Sequence, residues 1–151
     1  MVEALAVFSA ATALFAVILG PLVSLWAARR QSRVAVLSAN RQAWINMLRD
    51  LLAECMAISG FIHIADWSEH KQSEFDEKME RFSLVVSKIR LMLNPNEQDH
   101  QRLNEILAGL MKSVRSLKER DPVKGAQLMR DFVPLSQTIL KREWERVKRI
   151  E

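Results

Sequence analysis

The first feature that limits this chain is a charge gap. From Ala4 to Ala28 it reads ALAVFSAATALFAVILGPLVSLWAA, about 25 residues with no charged side chain. A helix rises about 1.5 Å per residue, so about 20 such residues cross a hydrocarbon core of about 30 Å. A cleaved signal peptide would start with basic residues and have a shorter apolar core. Here the start is Met1-Val2-Glu3, and the basic residues Arg29, Arg30 and Arg33 come after the run. The order predicts an uncleaved transmembrane helix over 4–28, with the N-terminus outside and the C-terminus cytoplasmic, because cytoplasmic flanks carry the excess of Lys and Arg. Trp26 falls at the same end, where an amphipathic ring suits the headgroup layer.

Inside the run, Ser9, Ala13, Ala16 and Gly20 recur at spacings of four, three and four and form one stripe of small side chains. Such stripes let membrane helices approach closely. The stripe is expected to be a packing face for self-association, although alanine is also common in apolar spans. Gly20-Pro21 should kink or loosen a turn, since proline removes a donor and crowds the preceding carbonyl.

Residues 29–151 read as a cytoplasmic bundle of about four antiparallel helices, so the fold class is all-α. Four Gly and four Pro in 151 residues leave little turn material for a β fold. Val34, Leu37, Arg41, Trp44, Leu48, Leu51, Cys55, Ile58 and Ile62 step by three and four, a heptad seam widened by Ile45, Leu52 and Met56. No helix breaker lies between Arg29 and Ser59, so the span is expected to run on as one rod. A turn is expected over Asp66 to Gln72. Phe75, Met79, Phe82, Val86, Ile89 and Leu93 make a second stripe, which stops at Asn94-Pro95. Asn94 is expected to cap a third helix, with Pro95 at its first position and Glu97 closing a capping box. Leu103, Leu107, Leu110, Val114 and Leu117 line that helix. Asp121-Pro122 opens a fourth helix, faced by Leu128, Phe132, Leu135 and Ile139, with a kink or break expected near Val133 because Pro134 falls inside the pattern. Leu140, Trp144 and Val147 continue it in a shifted phase. Short connections favour antiparallel neighbours. In that topology the tail returns towards the bilayer, where Lys141, Arg142 and Trp144 join Arg29, Arg30 and Arg33 as candidate lipid headgroup contacts.

Two strings in this region resemble a pattern in small, uncharacterised bacterial inner-membrane proteins. Asn40-Arg41-Gln42-Ala43-Trp44-Ile45-Asn46-Met47-Leu48-Arg49 is similar to their R-Q-x-W-I-x-x-L-R helix. Leu93-Asn94-Pro95-Asn96-Glu97-Gln98-Asp99-His100 is similar to their L-N-P-x-E-x-x-H segment. The resemblance covers about Ser38 to Leu107 and implies a bacterial or phage inner-membrane protein. It implies no activity and no catalytic residue.

Catalytic signals are few. His63, Asp66 and His70 have a loose metal-ligand spacing, but a turn is expected among them, and surface residues near a loop are the better reading. Cys55, the only cysteine, sits on the apolar seam and reads as a small buried hydrophobe rather than a nucleophile. There is no phosphate loop, no Ser-His-Asp cue, and no pair of E-x-x-H motifs as in di-iron bundles. Arg41 is the odd member of the first seam, since a buried arginine needs a carboxylate or exposed carbonyls. Arg41, Trp44 and Arg49 are the candidate partner contact, because Trp and Arg are enriched at interface hot spots. The bland alternative keeps Trp44 in the core and both arginines in solvent. The excess of four positive charges is dispersed among acids, which argues against nucleic acid.

These readings predict a non-enzymatic, membrane-anchored interaction or scaffold protein without cofactor, metal or small-molecule substrate. Its expected partners are membrane lipid and either a second copy or another membrane protein. A pore-forming effector is the alternative, weakened because Ser9, Thr12 and Ser24 do not form a polar lumen face. An accessory subunit of a membrane complex is the third.

Overall fold

A computed structural model describes the backbone of residues 2–65, 72–114 and 121–149, with side chains from residue 17 onward except residue 18. The described chain is all-α, with four helices: α1 (Val2–Ile64), α2 (Gln72–Met92), α3 (Gln98–Lys112) and α4 (Pro122–Lys148). The expected rod is present. α1 is continuous for 63 residues, about 95 Å at the usual helical rise. Pro21 does not interrupt it.

Both ends of the bundle show the up-down order. Arg41 of α1 meets Glu143 near the end of α4, and Arg142 and Arg146 of α4 meet Glu97 at the start of α3. At the opposite end, His63 of α1 reaches Ser113, just past α3, and faces Gly125 at the start of α4. The helices therefore run antiparallel to their chain neighbours, α1 lying between α2 and α4.

The core is built from Leu48, Leu52, Cys55 and Ile62 of α1, Phe75, Phe82, Val85, Val86 and Ile89 of α2, Leu103, Ile106, Leu107 and Leu110 of α3 with Val114 just past it, and Phe132 and Ile139 of α4. Fully burying one such side chain stabilises by about 1.5–3 kcal/mol. The expected stripes of α2 and α3 hold throughout the described residues. The first seam starts later than expected: Leu37 is exposed, and full burial begins at Ile45. No helix of the bundle covers the earlier part. Trp44, Leu51 and Ile58 pack against the core from its edge.

Two local expectations are corrected. Asn94 does not cap α3. Its side-chain oxygen accepts from the Asn96 backbone N–H at 3.0 Å, the turn-forming use of an Asn side chain. α3 starts later, with Glu97 at the cap position and no side-chain cap bond. The reason is electrostatic: the Glu97 carboxylate is drawn to Arg142 and Arg146 of α4 rather than back to the backbone. Nor does Pro134 break α4, which is continuous from Pro122 to Lys148. The Asp121-Pro122 start is as expected, with the Asp121 carboxylate accepting from Lys124 N–H at 2.9 Å.

Among the described residues no helix is long and apolar enough to cross a membrane. The side chains of Ser9, Ala13 and Ala16, and most of the apolar run, lie outside the described residues. Gly20 lies on the exposed rod, with open space where a side chain would be.

Candidate functional site

The densest polar cluster lies at the end of the bundle from which the rod of α1 emerges. The local sequence puts it there. The α2–α3 turn presents Asn94 and Glu97, the first turns of α3 add Asp99 and His100, α1 contributes Asn40, Arg41 and Trp44, and the last turns of α4 supply Arg142, Glu143 and Arg146. A pocket of about 350 Å³ opens among Asn40, Arg41, Trp44, Met92, Asn94, Glu97, His100, Glu143 and Arg146.

Glu143 is its buried anion, at 3% exposure. An unpaired carboxylate at that depth would be costly. It is held by Arg41 Nη2 at 3.2 Å and by Arg146 Nη1 at 2.5 Å. Arg146 also donates to Glu97 at 3.0 Å, and Arg142 reaches Glu97 at 2.6 Å and Asp99 at 2.7 Å. Three guanidinium groups thus face three carboxylates. The Arg146 hydrogen bond, aided by the positive charge of Arg142, holds the Glu97 carboxyl below its ordinary range. His100 is buried at 3% exposure, with Nδ1 accepting from the Asn94 backbone N–H at 2.8 Å. Nε2 is buried without a partner. Burial lowers the affinity of its ring for a second proton.

Glu97, His100 and Glu143 each offer an atom within 4.8 Å of the others. The residues do not fit a metal ion in this arrangement. A ligating imidazole donates its second nitrogen to a carbonyl or carboxylate. Here Nδ1 accepts instead, which places the hydrogen on Nε2 and leaves no lone pair for a cation. Both carboxylates are already engaged by arginines.

The sequence-derived candidates fall in different places. Arg41, its side chain 38% exposed, pairs with Glu143, and Trp44 lines the same pocket while packing on the core. Arg49 is exposed and stands apart from that lining. Arg142 is committed to Glu97 and Asp99, Lys141 is exposed, and Trp144 is exposed with Lys148 Nζ 3.4 Å from its ring centroid. Arg29, Arg30 and Arg33 are exposed along the rod with Trp26, and the Arg30 guanidinium stands 5.7 Å from the Trp26 ring centroid.

His63 belongs to the opposite end. Its Nδ1 donates to the Ser59 carbonyl at 2.7 Å, and Nε2 lies 2.9 Å from Ser113 Oγ. Asp66 and His70, its proposed companions, lie outside the described residues. Cys55 is buried as expected. Burial, and secondarily Glu54, push its thiol up to about 12.

Sequence reasoning missed Glu143 and His100 as site residues. Glu143 falls one position before Trp144, the residue that the apolar pattern of Leu140, Trp144 and Val147 places inward. The E-x-x-H string from Glu97 to His100 was visible, but nothing in it pointed to the end of α4. No protein family, curated protein or solved structure matches this chain.

Proposed function

We propose that the chain is a membrane-anchored interaction protein, in which residues 4–28 form a single span and the four-helix bundle is carried on the cytoplasmic side of a bacterial inner membrane. The observation that carries this is the bareness of α1 below the bundle. Every described side chain from Val17 to Arg33 is exposed, among them Leu19, Leu22, Val23, Leu25 and Trp26 at half or more of their surface. A helix that is apolar on all sides is normally covered by protein or by lipid. Among the described residues no element covers it, and a bilayer would. The uninterrupted helix from that region into the bundle core would make the anchor stiff. Arg29, Arg30 and Arg33 would sit at anionic headgroups, each worth about 1 kcal/mol there. Self-association through Ser9, Ala13, Ala16 and Gly20 is part of the same proposal.

The test is extraction of the full chain from bacterial membranes. An integral span keeps the protein in the pellet through high salt and alkaline carbonate. Release by salt alone would mean surface attachment through the arginines, and recovery in the soluble fraction would overturn the proposal. The mass of the protein in mild detergent then reads self-association: replacing Ala13 and Ala16 with Ile should convert an oligomer to a monomer.

A further inference from the structure

We propose that His100 is an acid-sensitive latch on the turn joining α2 to α3. The latch rests on the tautomer of the ring. Because Nδ1 accepts the Asn94 N–H at 2.8 Å, the neutral ring carries its hydrogen on Nε2. A second proton can enter only at Nδ1. There it would meet the Asn94 N–H, setting two donors against each other across the same short distance. The hydrogen bond would be lost and the turn would have to move.

The surroundings set the sign. Arg41 faces this pocket from α1, Asn94 and Glu97 from the turn, and Glu143 and Arg146 from α4, with Asp99 and Arg142 paired beside them. α2 contributes the uncharged Met92. The three arginines and three carboxylates balance, so the charge on His100 tips the cluster. Burial first, then Arg142 and Arg146, oppose protonation, while Glu97 and Glu143 favour it. The net effect places the ring's titration below the usual value of about 6.5. The latch is therefore closed above that pH. As pH falls, an unfolded ring takes its proton first and the native ring later, and the turn opens as the native ring titrates. This happens at the end of the bundle where the rod emerges, so acid would loosen the scaffold at its base and leave the far end closed. An anionic ligand is a poorer occupant of the pocket, because Glu97 and Glu143 line it.

The experiment is NMR on isotope-labelled full chain in detergent micelles, from pH 8 to pH 4.5. It follows the His100 ring shifts together with hydrogen-exchange protection of the Asn94 amide and of the Ile139 amide in mid-α4. The expected result is an Nε2–H tautomer at pH 8. At lower pH, Asn94 protection should fall at least tenfold with the midpoint of the His100 ring, while Ile139 keeps its protection. His100→Asn, whose side-chain oxygen can accept the same N–H without titrating, should hold Asn94 protected across the range. If that variant does not fold, the comparison of Asn94 with Ile139 in the natural chain decides. An Nδ1–H tautomer, a ring that does not titrate by pH 4.5, or Asn94 protection indifferent to the titration would overturn the latch. So would simultaneous loss at Asn94 and Ile139, which would mean global unfolding.

Discussion

Gly125 is the residue at which the far end of the bundle has no room. A Cβ added there would lie 2.0 Å from His63 Cδ2 and 2.3 Å from Nε2. The glycine is needed for closeness rather than for backbone freedom, since no residue among those described has a positive φ. Gly125→Ala gains helix propensity of up to about 1 kcal/mol, but it forces out a ring held by Ser59 and Ser113. We expect a net destabilisation of about 1–3 kcal/mol, a loss of several degrees in Tm for a bundle of this size. An unchanged melting curve would show that His63 can swing away at no cost. Cys55 gives a second test at this scale. Buried, and with its thiol pushed up to about 12, it should react with a disulfide reagent at pH 8 orders of magnitude more slowly in the native chain than in denaturant. Equal rates would mean that the seam opens readily at that position.

At the scale of the elements, α4 shows most clearly where sequence pattern and packing part company. Proline inside a helix removes one hydrogen bond and crowds the carbonyl a turn earlier, at about 3 kcal/mol. Yet α4 passes through Pro134, with the Thr138 hydroxyl donating to the Pro134 carbonyl at 2.8 Å. Burial of Phe132 and Ile139 on either side stabilises the helix by more than the proline costs. Pro134→Ala should therefore raise stability by about 2 kcal/mol in chemical denaturation; a decrease would show that the proline fits a bend the packing requires. The same helix explains the missed site. Apolarity alone assigns Trp144 inward, but the buried register runs through Phe132, Ser136, Ile139, Glu143 and Val147. Two of those five are polar. The burial of Glu143 follows from Arg41, remote in sequence, together with Arg146 one turn further along α4. The same is true of the start of α3, where contact with α4 overrode the cap that Asn94 and Glu97 could have formed locally.

For the whole molecule, the ion cluster makes stability depend on acid. Glu97 titrates below its ordinary value in the native state, so its ion pairs stabilise fully above the unfolded value of about 4.5 and lose that contribution as pH falls through the lower native value. Urea midpoints should be flat from pH 8 to about 7, begin to fall below about 6.5 as unfolded His100 takes up its proton, and drop further below about 4.5. Glu97→Gln should remove the lower step and keep the upper one; a profile with the lower step intact would move its cause to another carboxylate. By itself the sequence determined the all-α class, four helices, the antiparallel order and the continuity of α1 from Arg29 into the bundle, because periodicity, short connections and the lack of breakers from Arg29 to Ser59 are local properties of the chain. It also marked Arg41 as the odd charge on the apolar seam of α1. Only the tertiary structure decided that Arg41 meets Glu143, where the seam of α1 begins, and that His100 and Glu143 share a pocket, because contacts between helices distant in sequence are not revealed by spacing along the chain.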